Sequence, residues 1–333
     1  MKAVGYLQAG DAEQLQDVEL PVPTPKNREV LVAVQAVSVN PVDCKIRTRV
    51  SPEQGQVKVL GWDAAGEVVD VGPEVEHFKV GDQVWYAGDL TKAGTNAEFH
   101  VVDERIISLK PQNLSFAEAA ALPLTSITAW EMLFDRLQVQ QHDHENESIL
   151  IIGGAGGVGS MAIQLLKAKT QLKIIATASR PETQAWVKQL GADVVLDHRQ
   201  SLAEQIQAQG LSAPRYVFST THTGSYLTQI AELIAPQGRF GLIDDPEQLD
   251  INLFKRKSVA VHWEFMFTRS MFQTADMSAQ AHLLQQVAQL IETGKIKTTL
   301  NQVMGSINAA NIRQAHHAIE SERTQGKLVL EGF

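Results

Sequence analysis

A chain of 333 residues, 44% of them hydrophobic and 20% charged, is long enough for two domains with substantial cores and has no compositional leaning toward disorder. Its formal charge of -9 offers no positive footprint to nucleic acid or to an anionic membrane. A single cysteine, Cys44, excludes an internal disulfide and any zinc lobe built on several thiolates.

The first residues, MKAVGYLQAGDAEQ, hold no apolar run of signal-peptide length, and nowhere do about 18 uncharged apolar residues follow one another, so a soluble, cytoplasmic protein is expected. Residues 1–117 then read as short β-rich runs cut by Gly and Pro: EVLVAVQAVSVN, AAGEVVDVG, GDQVWYAG and NAEFHVVD, spaced like an irregular barrel or sandwich. Over 118–265 the pattern changes to strands alternating with helix-length segments. SILIIGG leads to VGSMAIQLLKAKT and KIIATAS to PETQAWVKQLGA; VVLDH, YVFSTT, GRFGLID and SVAVHWEF follow. Such alternation predicts βαβ units and a parallel sheet, hence an α/β protein. Beyond 266 the spacing predicts amphipathic helices over 279–293 and 308–320 and a last strand, KLVLEG. No internal repeat is present, and QQHDHENES at 140–148 is the most polar loop.

The most informative motif is ILIIGGAGGVGSMAIQLLKA. Gly154, Gly156 and Gly159 fit G-x-G-x-x-G after an apolar strand and at the opening of a helix. In that context the glycines permit a tight turn, close backbone approach to a pyrophosphate, and helix packing, with the helix N-terminus facing the anion. The next strand then indicates which dinucleotide binds, because NAD enzymes place a carboxylate about 20 residues on to receive the ribose 2'-hydroxyl. Here it ends in Ser179 and Arg180, which suit a 2'-phosphate and so NADPH; the competing reading makes Arg180 a solvated residue before a helix-starting proline.

GGAGGVG, LGAD, SVNPVD near residue 40, PLTSITAWEML and the ending GKLVLEGF together resemble the medium-chain dehydrogenase/reductase superfamily, and most closely its zinc-independent quinone oxidoreductase branch. The resemblance spans nearly the whole chain. It implies a Rossmann domain over 118–265, a β-rich GroES-like catalytic domain over 1–117 and 266–333, and a homodimer paired through the strand near residue 262. In the zinc-dependent alcohol dehydrogenases of that superfamily, a Cys stands at the position of Asn40 and a G-H-E motif at Gly61-Trp62-Asp63. Neither Asn nor Trp replaces a thiolate or imidazole on Zn2+, and Val42 occupies the place of the hydroxyl relay.

With those groups gone, Asp63 is expected to be a buried hydrogen-bond anchor. The implied activity is hydride transfer from NADPH to a quinone or α,β-unsaturated carbonyl without a metal. A 2-alkenal or acryloyl-type reductase and a non-catalytic NADPH sensor are the alternatives. The resemblance puts Asn40, as an amide donor or merely the cap before Pro41, and Thr128 beside the nicotinamide, with Trp62 and Phe265 as hydrophobic pocket walls. It puts Gly154, Gly156, Gly157, Val158, Gly159, Ser179, Arg180, His198, Thr221, Leu242, Ile243 and Lys327 around the dinucleotide. Thr183 stands where relatives often carry a phosphate-binding Lys. An ion pair of Asp43 with Lys45 or Arg47 is also expected. Neither group of histidines is read as a metal site: HDH at 142–144 lies in a charged loop, and HH at 316–317 has adjacent spacing on a helix, which points the rings apart.

Overall fold

The computed structural model describes residues 1–139 and 147–333; the HDH segment at 142–144 lies outside them. The chain divides into two compact units, one formed by Met1–Ile127 with Phe267–Phe333, the other by Thr128–Met266.

The first unit opens with β1 (Lys2–Tyr6), β2 (Gln16–Glu19), β3 (Glu29–Val39), β4 (Lys58–Val59), β5 (Asp63–Val71), β6 (Gln83–Ala87), β7 (Phe99–Asp103) and β8 (Ile107–Leu109). Strands β2, β1 and β4 form a small antiparallel sheet. The 11-residue β3 is the spine of a larger sheet. It pairs antiparallel with β5 and β7, and its Val/Ala-rich sequence is buried along most of its length. Helix α1 (Pro41–Arg49) starts where β3 ends: Pro41 cannot donate to a further strand, and the Asp43 carboxylate accepts the Asn40 N–H at 2.8 Å.

Helices α2 (Phe116–Ala120) and α3 (Pro123–Trp130) follow, the latter continuing into a π-helical turn at Glu131–Arg136. Ala117, Ala119 and Ala120 bury the small face of α2, which packs on β3 and β5. For that reason the first unit extends to residue 127 rather than ending at the 117 read from the sequence.

The second unit alternates strand and helix: β9 (Ser148–Ile152), α4 (Gly157–Lys169), β10 (Lys173–Thr177), α5 (Pro181–Leu190), β11 (Val194–Leu196), α6 (Leu202–Ala208), β12 (Tyr216–Ser219), α7 (Thr223–Leu233), β13 (Arg239–Leu242) and β14 (Ala260–Trp263). All six strands run parallel in the order β11-β10-β9-β12-β13-β14. β9 is covered on both faces, so all five residues of SILII are buried, as a central parallel strand requires. Each such Ile or Leu contributes about 1.5–3 kcal/mol through burial. The chain winds from β9 outward through β10 and β11, then returns to the other side of β9 at β12. That reversal opens a crevice at the carboxyl ends of β9 and β12.

The chain then completes the first unit with α8 (Thr268–Met271), α9 (Ala279–Glu292), β15 (Leu300–Val303), α10 (Ala309–Glu320) and β16 (Lys327–Glu331). β16 pairs antiparallel with β3 and parallel with β15, which places the C-terminal strand inside the large sheet. α9 buries Leu283, Leu284, Val287, Ala288 and Ile291 on one stripe, the helical spacing that its sequence shows. Among the described residues no helix is long and apolar enough to cross a membrane.

Candidate functional site

In the Thr128–Met266 unit, the residues expected around a dinucleotide gather at the carboxyl ends of the parallel strands. After β9 the chain turns at Gly153, whose φ of +82° favours glycine and whose N–H donates to Thr177 Oγ1 at 3.0 Å. Gly154 and Gly159 hold the turn against the helix: a Cβ on Gly154 would lie 2.9 Å from Ala176 Cβ, and one on Gly159 only 2.3 Å from the Gly153 carbonyl oxygen. Gly156 differs, since a Cβ there would meet nothing nearer than 3.5 Å. It caps α4, and Gly157 and Val158 open the helix half-buried. First-turn N–H groups have no partner within their own helix and face outward from such a turn.

Past β10, Ser179 and Arg180 are half-buried. The Arg180 N–H donates to Thr183 Oγ1 at 3.2 Å, so Thr183 serves to start α5, and the Arg180 guanidinium lies 3.0 Å from Glu182. A second guanidinium, which the sequence pattern did not single out, joins them: Arg199 donates to the Ser179 carbonyl at 3.0 Å and to the Asp197 carboxylate at 2.6 Å. Hydrogen bonding by Arg199 holds the Asp197 carboxyl down to about 2. His198 follows β11 half-buried, and burial pushes its imidazole below the usual histidine range. Thr221 Oγ1 lies 2.8 Å from His222 Nδ1 just past β12. Leu242 closes β13, fully buried, and Ile243 follows it half-buried.

Lys327, also expected at the dinucleotide, belongs to a cluster of buried polar groups. It lies on β16 in the other unit, 3% exposed, and its ammonium donates to the Val39 carbonyl at 3.0 Å, to Asp63 Oδ2 at 3.2 Å and to Asn40 Oδ1. An ammonium has three N–H donors, and all three are engaged. The centre of this cluster is Asp63, with no exposed surface. Its Oδ2 also accepts Asn40 Nδ2 at 2.8 Å, and its Oδ1 accepts the Leu124 N–H at 2.7 Å in the first turn of α3. Gly61, at φ +93°, provides the turn that leads into β5. Asp63 is therefore the expected anchor, joining β5, β16, α3 and the residue before α1.

The same bonds revise Asn40. Its amide is consumed by Lys327 and Asp63, so it is neither a spare donor nor the side-chain cap of α1, a task met by Asp43. Burial raises the pKa of Asp43 to about 7, against the pull of the Asn40 N–H and Lys327. Burial likewise raises Asp63, opposed first by Lys327, and lowers Lys327, opposed by Asp63. Lys327 thus pairs with Asp63, and its charge also pulls on the buried Asp43.

The ion pair expected for Arg47 also moves: Arg47 donates to the Gly10 carbonyl at 3.1 Å, lies 3.0 Å from His316 Nδ1 and pairs with Glu320. His316 is fully buried beside Cys44 while His317 is exposed, so the two rings do point apart. Trp62 is 1% exposed, edge-on to Phe267 at 5.9 Å, with its indole N–H donating to the Asp89 carbonyl. It is core rather than an open pocket wall. Phe265, past β14, is 47% exposed, and Thr128, on α3, is 5% exposed.

Zinc does not fit this donor set. The oxygens of Val39, Asn40 and Asp63 surround an ammonium, and among the described residues no three His, Cys, Asp or Glu side chains come together to hold an ion. The sequence nevertheless matches the alcohol dehydrogenase GroES-like domain over residues 26–112 and the zinc-binding dehydrogenase family over 190–330. It is 40% identical to a zinc-type alcohol dehydrogenase-like protein of Staphylococcus aureus (strain MSSA476) across 99% of both chains. The fold superposes on a crystal structure of a protein assigned as a zinc-dependent alcohol dehydrogenase from Rhizobium etli CFN 42, with TM-score 0.97 and 56% identity over 100% of this chain and 98% of that one. It also superposes on Escherichia coli quinone oxidoreductase complexed with NADPH, with TM-score 0.84 and 25% identity over 99% and 100% of the two chains. The glycine turn on a six-stranded parallel sheet, the GroES-like partner unit and these relatives agree: the chain belongs to the medium-chain dehydrogenase/reductase superfamily of oxidoreductases.

Proposed function

We propose that this protein is a zinc-independent, NADPH-dependent reductase of quinones or α,β-unsaturated carbonyl compounds, acting as a cytoplasmic homodimer. The observation that carries the reading is the ammonium of Lys327 held by Val39, Asn40 and Asp63 in the region where alcohol-oxidising relatives place metal ligands. Alcohol oxidation draws on a Lewis acid to acidify the hydroxyl, and these residues do not form a zinc ligand set. An acceptor that is already electrophilic has no such requirement.

Bound NADPH would supply the hydride, delivered to a carbon of the acceptor. The first-turn N–H groups of Gly157 and Val158 would meet the pyrophosphate, with Gly156 leaving room for it. Ser179, Arg180 and His198 would hold the 2'-phosphate, and Thr128 would orient the carboxamide or ribose. The proton that completes the enol or hydroquinone comes from solvent. The E. coli quinone oxidoreductase, crystallised with NADPH, supports the cofactor and the acceptor class.

Turnover with NADPH against ortho-quinones, para-quinones, 2-alkenals and secondary alcohols tests this directly. Reduction of quinones or enones, together with far less than one zinc per chain after dialysis and no loss to a chelator, is the expected result. Efficient alcohol oxidation with stoichiometric zinc overturns it, and no turnover with any acceptor favours a binding protein.

A further inference from the structure

We infer that Arg199 is a second guanidinium at the 2'-phosphate position, a specificity-determining residue that favours a phosphorylated dinucleotide over its 2'-hydroxyl counterpart. This rests on the NADPH reading above.

The segment after β11 is built around Asp197 and fixes the position of residue 199. β11 runs parallel beside β10, with the Ala178 N–H on the Leu196 carbonyl at 2.9 Å, so the residues that follow the two strands leave the sheet side by side. Gln205 of α6 clamps Asp197 from both directions: its side-chain oxygen accepts the Asp197 N–H at 2.8 Å, and its amide donates to the Asp197 carbonyl at 2.8 Å. The Asp197 carboxylate in turn accepts the Arg199 backbone N–H at 3.0 Å, its Nε at 3.0 Å and its Nη2 at 2.6 Å. Nη2 also donates to the Ser179 carbonyl at 3.0 Å. The guanidinium therefore bridges the carboxyl ends of β10 and β11, the side of a parallel sheet on which dinucleotides bind. It rests on the backbone of Ser179, whose side chain meets the 2'-phosphate in the NADPH reading.

The Arg199 side chain is 65% exposed, and a long exposed side chain ordinarily loses much rotamer freedom when it seizes an anion. Here that ordering is complete before any ligand arrives. A guanidinium has five N–H donors. Asp197 and Ser179 take the one on Nε and both on Nη2, which leaves the two on Nη1, and among the described residues Nη1 has no partner. Phosphate oxygens accept charge-assisted hydrogen bonds from such a fork, roughly twice as strong as those a neutral ribose hydroxyl can make. Asp197 cancels much of the charge that Arg199 would project over a distance, so the discrimination acts at contact, through Nη1, rather than by long-range attraction. Hydrogen bonding from Arg199 holds the Asp197 carboxyl down to about 2, so the pair stays ionised at neutral pH. Closing the turn between Asp197 and Ser179 uses Nε and Nη2 alone; that structural task would serve both dinucleotides equally.

Calorimetric titration of the whole protein with NADP+ and with NAD+ reads the preference without any turnover. Arg199→Ala is expected to raise the Kd for NADP+ roughly tenfold and to leave the Kd for NAD+ within about twofold of the wild type. Arg199→Lys keeps the charge, but one ammonium cannot hold Asp197, Ser179 and a phosphate in the geometry of a fork, so it should recover only part of the NADP+ binding. Thermal melting checks that both variants fold; if the alanine variant does not, the lysine variant decides alone, by a lowered preference for NADP+ or an unchanged one. If the wild-type protein binds NAD+ as tightly as NADP+, the NADPH reading falls and this inference with it. If NADP+ is preferred but the folded variants weaken both dinucleotides alike, or neither, Arg199 only closes the turn and this inference alone is overturned.

Discussion

Under the proposed function, Arg180 is a single residue on which the cofactor preference would rest. Hydrogen bonds to a charged group contribute about 1.5–3 kcal/mol. Arg180→Ala should therefore raise the Michaelis constant for NADPH about tenfold or more at low salt and leave NADH kinetics nearly unchanged. Ser179→Asp should turn preference toward NADH by repelling the phosphate; steady-state kinetics with both cofactors checks both outcomes. The Asp63 cluster governs stability instead. Lys327→Met leaves the buried Asp63 carboxylate without its cation, and loss of one partner from a buried ion pair costs about 3–5 kcal/mol. Adding Asp63→Asn to that variant should recover part of the loss in a denaturant titration, because the orphaned charge is then gone. The sequence suggested that Asp63 is an anchor, from the histidine missing beside it. It gave no sign that the anchored groups would be Lys327, 264 residues away, and the Leu124 N–H.

Helix α4 and its glycine turn separate two requirements that the motif runs together. Gly159 faces backbone at 2.3 Å, so Gly159→Ala must push α4 away from the turn, and overpacking of this kind costs roughly 1–3 kcal/mol. Gly156 has a φ of -70°, which any residue adopts, and open space beside it. Gly156→Ala should leave the melting temperature unchanged or slightly raised, since Gly→Ala at a compatible position stabilises by about 0.4–1 kcal/mol, while weakening dinucleotide binding by standing where the pyrophosphate approaches. Thermal melts set beside dinucleotide titrations distinguish the two glycines. The strands and helices of this unit were legible because each carries its own period and the glycines punctuate it. Helix α1 was not, because its buried side includes Asp43 and Arg47, which a hydrophobic pattern reads as surface.

At the scale of the whole molecule, acid sensitivity follows from histidines buried in neutral form. Burial lowers His316 to about 3 and His100 to about 4, the latter with Tyr86 at 3.0 Å on Nδ1 and the Ala93 carbonyl at 3.0 Å on Nε2. The unfolded chain binds protons on both below about pH 6.5, and the folded chain does not, so stability is lost as pH falls from about 6.5 toward 4. Asp43 opposes this: with a folded pKa of about 7 it holds a proton that the unfolded chain has released, and its contribution to stability fades as pH rises from about 4 to 7. Asp63, also raised by burial, adds to the carboxylate side, and His198 and His262, lowered by burial, add to the histidine side. The net loss on acidification should approach about 1.4 kcal/mol per pH unit for each uncompensated proton. His316→Gln should make that acid limb shallower and Asp43→Asn should make it steeper. Chemical denaturation repeated from pH 7.5 to 4.5 measures both slopes.

The sequence by itself determined the parallel αβ sheet, the β-rich partner segments, the glycine turn and the residues after each strand, because hydrophobic period and turn chemistry are local properties written in consecutive residues. Only the tertiary structure decided what the buried charges do. Lys327 binds Asp63, Asn40 spends its amide internally, Arg47 turns to His316 and Glu320, and the unit boundary passes beyond α2. Each of those outcomes depends on groups far apart in the chain meeting in a low-dielectric interior, where a charge must take whichever partner the fold brings within about 3 Å.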